Sequence, residues 1–309
     1  MSQSYYSFNS YLKKKFKSRI QRISLNAGLN CPNRDGTLGI EGCYFCNEKG
    51  FVSVEDSQIS IEAQIETALP LFKKRFKSDK FIAYFQNASN TYASVEKLGT
   101  IYDGIKKFPE FVGLIISTRP DCIDEEKLDM ISSYTDKYDV WIEYGLQSVH
   151  AKTLKFLNRR HTFRQFKNAV KLTAERNIKT AAHVILGLPH ETKHDMYQTA
   201  NALAKLGING VKLHTFHILK NTPFACMYKQ GDIHLLAEGE YVEIACDFLE
   251  RLPSECVIMR LVSNARDEVL IAPFWMNRRQ KVLLKIEEEF KKRNTRQGFL
   301  AKRQSENDF

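Results

Sequence analysis

Six apolar runs punctuate the chain: RISLNAG, KFIAYFQ, FVGLIISTRPD, VWIEYGLQS, KTAAHVILGLP and NGVKLHTFHIL. Between them lie segments with apolar residues at helical spacing: IEAQIETALPLFKKRF, SVEKLGTIYDGIKKF, DEEKLDMISSYTDKY, HTFRQFKNAVKLTAERN and KHDMYQTANALAKLG. The runs are continuous rather than alternating, which suits strands buried on both faces of a parallel sheet. Six such units with right-handed crossovers curl into an α/β fold, a partial (βα)6 TIM-like barrel. Pro70 is expected to bend the first helix, Thr162 to cap the fourth, and Gly207 to end the fifth. The barrel spans residues 18–234, after a basic segment at 1–17. Residues 235–309 form an α/β extension: a helix in AEGEYVEIACDFLERL, an extra strand in CVIMRLV, a basic helix in RRQKVLLKIEEEFKKRN and a frayed tail, RQSENDF.

Reactive residues of such barrels sit at the C-terminal ends of the strands. After the first strand comes GLNCPNRDGTLGIEGCYFCNEKGF, with Cys31, Cys43 and Cys46 in the spacing C-x11-C-x2-C among glycines. Three thiolates can hold a cube of four irons and leave one iron open for a ligand, whereas four would close the site. Zinc is the competing reading, but a local Cys/His knuckle is excluded because His150 is the first histidine. No apolar run reaches the roughly 18 residues that span a bilayer, and the first twenty residues lack a signal-peptide core. A cytosolic location is expected, where cysteines serve as ligands more readily than as disulfides. Cys122, Cys226, Cys246 and Cys256 have no tight spacing and read as buried thiols, with a second metal left open.

The formal charge of +10 is confined to the ends. Residues 1–22 carry six basic and no acidic residues, and 278–303 carry ten basic against Glu287, Glu288 and Glu289. Such stretches suit a phosphate backbone, or else are solvated faces with no partner.

The chain resembles the radical S-adenosylmethionine (radical SAM) enzymes, and within them the YhcC/YtqA group, whose radical domain is similar to that of the catalytic subunit of elongator. The resemblance covers about residues 18–275. It is carried by SLNAGLNCPNRDGTLGIEGCYFCN, AYFQNASNTYA, ISTRPDCI, WIEYGLQS, LNRRH, HVILGLPHET and GVKLHTFHILKNTPF. The eleven-residue gap departs from the commoner Cys-x3-Cys-x2-Cys pattern of the superfamily. The resemblance implies that Cys31, Cys43 and Cys46 hold a 4Fe-4S cluster whose open iron chelates SAM. Electron transfer then cleaves SAM to a 5'-deoxyadenosyl radical that abstracts a hydrogen from substrate. A donor of the flavodoxin or ferredoxin type is the implied redox partner.

By position, the backbone from Tyr84 through Gln86 to Asn87 faces the methionine amino group. Glu143, with Gln147 at the same strand end, suits the ribose hydroxyls; the bland alternative for Glu143 is an ion pair at the barrel rim. Arg159, or its neighbour Arg160, suits the methionine carboxylate. Gly187, Leu188 and Pro189 let backbone approach the adenine, and Leu219 to Thr222 line its other side. Arg119 and Asp121 face the substrate, unless Asp121 is a helix N-cap. His214 and His217 are three apart and point opposite ways in a strand, with His214 assigned to the cavity. Together with the basic ends, the resemblance points to tRNA and to remodelling of a carboxymethylaminomethyl group on the wobble (2-thio)uridine. The alternatives are a radical SAM enzyme for a small metabolite or peptide, and a zinc protein that binds RNA.

Overall fold

The computed structural model describes residues 4–46 and 59–301. Residues 47–51 of the cysteine run, the basic pair Lys302 and Arg303, and the RQSENDF tail lie outside the described residues. Seven parallel strands form one sheet in the order β1 (Ile20–Leu25), β2 (Lys80–Phe85), β3 (Phe111–Thr118), β4 (Asp139–Gln147), β5 (Lys179–Leu186), β6 (Gly210–Thr215) and β8 (Val257–Arg260). The sheet curls into a partial barrel with helices outside. Each strand sends alternate side chains to two cores. Ile23, Phe81, Leu114, Ile142, Val184 and Leu213 pack outward against the helices, while Ile20, Ile82, Ile115, Trp141, Ala181 and Val257 fill the lower barrel.

The sixth apolar run is not one strand. β6 stops at Thr215, and β7 (Ile218–Leu219) pairs antiparallel with β9 (Leu270–Ala272). CVIMRLV is a strand, and β8 adds to the parallel sheet beside β6, so the barrel has seven strands rather than six and crosses residue 234.

The outer helices follow the expected spacing. α2 (Ile61–Phe76) is capped by Ser60 and continues through Pro70. α3 (Val95–Asp103), α4 (Glu125–Ser132), α6 (Phe163–Ala174) and α7 (Lys193–Lys205) separate the next strands. Thr162 and Gln165 form a capping box on α6, so two end donors are satisfied at once. α4 ends at Ser132, short of the expected stretch to Tyr138. The short α5 (Ala151–Phe156) and α8 (Pro223–Gln230) fall in segments not read as helices from the sequence. α9 (Glu238–Arg251) packs on α7, and the basic α10 (Arg279–Arg293) packs on α9.

The N-terminal segment is more than a charged arm. Ser7 caps α1 (Phe8–Phe16), whose Phe8 and Leu12 are buried. Tyr11 and Phe8 meet Trp141 edge-on, at ring distances of 5.4 and 6.1 Å. Asp139, the first residue of β4, accepts hydrogen bonds from Tyr11 Oη (2.8 Å), Lys15 Nζ (2.5 Å), Lys179 Nζ (2.8 Å) and Trp141 Nε1 (2.9 Å). α1 touches both β1 and β8 and so closes the end of the barrel where the strands begin.

Candidate functional site

The cysteines lie at the other end, in the loop that follows β1. The backbone of that loop is folded by short-range bonds: Arg34 and Asp35 N–H groups donate to Cys31 O, Gly42 N–H to Asn33 O, and Cys46 N–H to Cys43 O. Gly42 is in the left-handed region (φ 73°), and a Cβ there would stand 2.9 Å from Arg34 Nε. The loop is then tied to the segment after α5. Tyr44 N–H donates to Leu157 O, Asn33 Nδ2 to Asn158 O (2.7 Å), Asn158 Nδ2 to Gly42 O (2.7 Å), and Arg160 Nη1 to Leu38 O (2.5 Å). Cys43 is buried, Cys31 half-buried and Cys46 exposed. Cys46 lies within electrostatic range of both Cys31 and Cys43. Among the described residues, no three His, Cys, Asp or Glu side chains are gathered tightly enough for a single metal ion; a four-iron cube instead takes its thiolates one to each iron and so farther apart.

The two arginines of LNRRH separate here. Arg160 is exposed and braces the cysteine loop, with Nε also donating to Asn158 Oδ1 (3.0 Å). Arg159 turns inward: Nη1 stands 3.5 Å from Cys43 Sγ and Nη2 donates to Gly145 O (2.8 Å). A Cβ at position 145 would lie 2.4 Å from Arg159 Nη2 and would push the guanidinium aside. Arg119 at the end of β3 is held by Asp121 through Nε–Oδ1 (2.9 Å) and Nη2–Oδ2 (2.7 Å), and its Nη2 also donates to Arg159 O (3.0 Å). Burial alone would lower the Arg119 pKa, but Asp121 outweighs it and raises it, so the guanidinium stays charged. Asp121 is therefore an ion-pair partner, and the N-cap of α4 is Asp124, whose carboxylate accepts from Lys127 N–H (2.9 Å).

Glu143 lies in the barrel, fully buried. Its Oε2 accepts from Tyr84 Oη (2.7 Å), Ser117 Oγ (2.9 Å), His183 Nε2 (2.6 Å) and Lys212 Nζ (2.9 Å). The ion pair of the bland reading exists, in the interior rather than at the rim. Burial pushes the Glu143 pKa up, yet Lys212 and His183 outweigh it and hold the carboxyl well below its usual range. Tyr84 thus sends its phenol into this cluster and also meets Lys212. His214 shares the inward face of β6 with Lys212. His217 lies beyond the strand and hydrogen-bonds Thr215 O (2.8 Å), so alternation along one strand does not govern it.

The remaining expected residues fall around the mouth. Gln86 and Asn87 are half-buried after β2, where Asn90 Nδ2 fixes the turn through Asn87 O and Ser117 O, each at 2.8 Å. Gln147 is buried at a bulge closing β4, with φ 73°. Gly187 has φ 82°, and a Cβ there would meet Leu236 Cδ1 at 2.7 Å. Leu188 and Leu219 are buried in apolar clusters, Pro189 is buried beside them, and Thr222 Oγ1 donates to Leu219 O (2.8 Å). Of the other cysteines, Cys122, Cys246 and Cys256 are buried, and burial pushes the Cys246 thiol up to about 12; Cys226, expected to be buried, is exposed on α8.

Several side-chain atoms at this end are buried and lack partners, among them the donors Arg119 Nη1 and Arg159 Nε and the acceptors Asn33 Oδ1, Asn87 Oδ1, Asn90 Oδ1 and Glu143 Oε1. Buried polar atoms are rarely left unpaired, so together they ask for a ligand bearing both acceptors and donors. An amino-acid-bearing nucleoside such as SAM has that character. Sequence reading missed Lys212 and Arg260, which sit inside β6 and β8. A charged residue within an otherwise apolar strand was the available signal.

Residues 30–203 match the family model of the radical SAM superfamily, and residues 208–292 match that of the radical SAM C-terminal domain. The chain belongs to the radical SAM superfamily. Within it, the chain is 40% identical to the uncharacterized protein MJ0486 of Methanocaldococcus jannaschii over 94% of its length and 90% of the relative's. It is 33% identical to YtqA of Bacillus subtilis, over 98% and 94% of the two chains. In structure it resembles an N-terminally truncated Elp3 of Methanocaldococcus infernus, with a TM-score of 0.67, 14% identity, and coverage of 90% of this chain and 64% of that one. The family's cofactors are a 4Fe-4S cluster and SAM. No helix among the described residues is long and apolar enough to cross a membrane.

Proposed function

We propose that this radical SAM enzyme remodels the carboxymethylaminomethyl side chain at C5 of the wobble uridine in tRNA. The observation that supports a cofactor-charged site is the convergence of the cysteine loop with the unpartnered atoms of Arg119, Arg159, Asn87 and Glu143. Cys31, Cys43 and Cys46 would hold the cluster, and Arg159 and Arg119 would take the SAM carboxylate in a charge-assisted contact. Asn87 Oδ1 would accept from the amino group, and Glu143 Oε1 from a ribose hydroxyl. Cluster and SAM, when bound, supply the hydrogen-abstracting radical. The chain's own contribution is placement and exclusion of water. The tRNA substrate is supported by likeness to the YhcC/YtqA group and to elongator-type radical domains. An unstacked base of the anticodon loop can enter a barrel mouth.

One observation favours the small metabolite or peptide instead. α1 lies at the barrel end opposite the cysteines, Lys15 is committed to Asp139, and Arg22 stands 5.5 Å over the Tyr84 ring. The N-terminal charge is therefore no footprint for tRNA at the mouth.

Nucleoside mass spectrometry of tRNA from a deletion strain tests the proposal. Accumulated carboxymethylaminomethyluridine is expected, and an unchanged profile of modified uridines would overturn it. Anaerobic iron and sulfide analysis of wild type against Cys31→Ala, Cys43→Ala and Cys46→Ala tests the ligand assignment; each variant is expected to lose the brown chromophore.

A further inference from the structure

Beneath the mouth, on the side of the barrel away from Arg119 and Arg159, the interior holds more positive charge than its own residues balance. Strand register places His183, Lys212 and Arg260 on one rung, since His183 pairs with Lys212 and Lys212 with Arg260. His214 stands one inward position higher on β6, its ring 5.1 Å from that of His183. Arg260 is the last residue of β8, and its Nη2 lies 2.7 Å from the His214 ring nitrogens. Its Nε is buried with no partner.

Among the described residues the carboxylate in this cluster is Glu143. Its Oε2 already receives four donors, Lys212 among them. No ion pair joins Arg260 to a carboxylate among the described residues. Arg22, over the Tyr84 ring, stands with Arg260 as a second permanent cation beside Lys212. The imidazoles do not supply more charge: burial and the neighbouring cations hold His183 down to about 4 and His214 well below its usual range. Burying a cation without a counter-charge is costly, so the chamber is built for an anion that arrives from outside.

We propose that Arg260, with His214 and Lys212, receives a carboxylate carried by the substrate and so sets which substrate is held under the mouth. A planar carboxylate can accept from a guanidinium whose Nε is left without a partner. The SAM carboxylate is assigned to Arg159 and Arg119 across the barrel, so the two anions do not compete. This inference rests on the proposed function for the bearer of the carboxylate, which would be the carboxymethyl group of the wobble uridine. The chemistry of the chamber stands apart from that identity.

The test uses full-length reconstituted enzyme under anaerobic conditions, as wild type, Arg260→Gln and Arg260→Lys. The first probe pair is N-acetylglycine and its uncharged analogue N-acetylglycinamide, with inorganic phosphate as a control anion. Saturating N-acetylglycine is expected to raise the wild-type Tm by about 2–4 °C. The amide should give no rise, phosphate should give less, Arg260→Gln should lose the response and Arg260→Lys should keep part of it. Equal responses to acid and amide, equal responses of wild type and Arg260→Gln, or a larger response to phosphate would overturn the carboxylate site. The second pair is tRNA bearing carboxymethylaminomethyluridine and the same tRNA bearing aminomethyluridine. Wild type should prefer the first about tenfold or more, and Arg260→Gln should bind both alike. Retained discrimination in Arg260→Gln would also overturn the site. If neither tRNA binds while the acid response holds, the tRNA reading fails and the carboxylate site stands.

Discussion

Arg159 Nη1 stands 3.5 Å from Cys43 Sγ while Nη2 of the same guanidinium donates to Gly145 O at 2.8 Å. One side chain thus links the cysteine loop to the fourth barrel strand, and its Nε is left buried without a partner. The absence of a Cβ at Gly145 is what lets the guanidinium lie there.

Gly145→Ala should therefore act on Arg159 and not on the fold. The new methyl would displace Nη2, and the arginine would lose its hold on strand and ligand together. SAM affinity is expected to fall about tenfold to a hundredfold, the equivalent of the roughly 1.5–3 kcal/mol of a charged hydrogen bond. Anaerobic calorimetry on reconstituted protein measures it. Unchanged affinity would show that Arg159 does not contact SAM.

Arg119 and Asp121 form a buried pair, with side chains 2% and 7% exposed. Removing one partner strands the other charge, so Asp121→Ala should cost about 3–5 kcal/mol. The double change Arg119→Met/Asp121→Leu should recover much of that loss. Urea unfolding of the three proteins checks both statements, and a double variant no more stable than Asp121→Ala would contradict the pairing.

Much of this architecture was legible because buried parallel strands write themselves as apolar runs. The reading failed where pattern and packing part company. β6 and β7 read as one strand because FHIL continues the apolar run, yet Ile218 turns to pair with Ala272. β8 read as an accessory because a four-residue strand after a long helix carries little periodic signal. The cysteines were visible from spacing, whereas the Lys212–Glu143 contact joins residues that only barrel closure brings together.

The clearest omission was α1, where a lysine cluster hid Phe8 and Leu12 at positions i and i+4 behind a Ser7 cap. Since Leu12 is 3% exposed in the barrel floor, Leu12→Ala should destabilise by about 2–5 kcal/mol. Leu12→Met should cost under about 1.5 kcal/mol. Reversing Lys13 and Lys14, which α1 carries in its last turn, should change little by comparison. Thermal unfolding distinguishes a plug from a charged arm: comparable losses in all three variants would remove the plug.

Lys212 gives the stability of the fold a pH dependence. Burial lowers its pKa, Glu143 opposes that, Arg260 and Arg22 add to it, and the result is about 7 against the ordinary 10.5. Between these values the unfolded chain holds a proton that the folded chain has released. Stability from this group therefore rises as pH climbs from about 7 towards 10, and its cost is fully present below 7. Lys212→Met removes the titration whatever its effect on absolute stability. The wild-type Tm should thus rise more steeply than that of Lys212→Met between pH 7 and 9 in matched buffers. Parallel curves would mean that Lys212 stays protonated throughout, its charge held by Glu143.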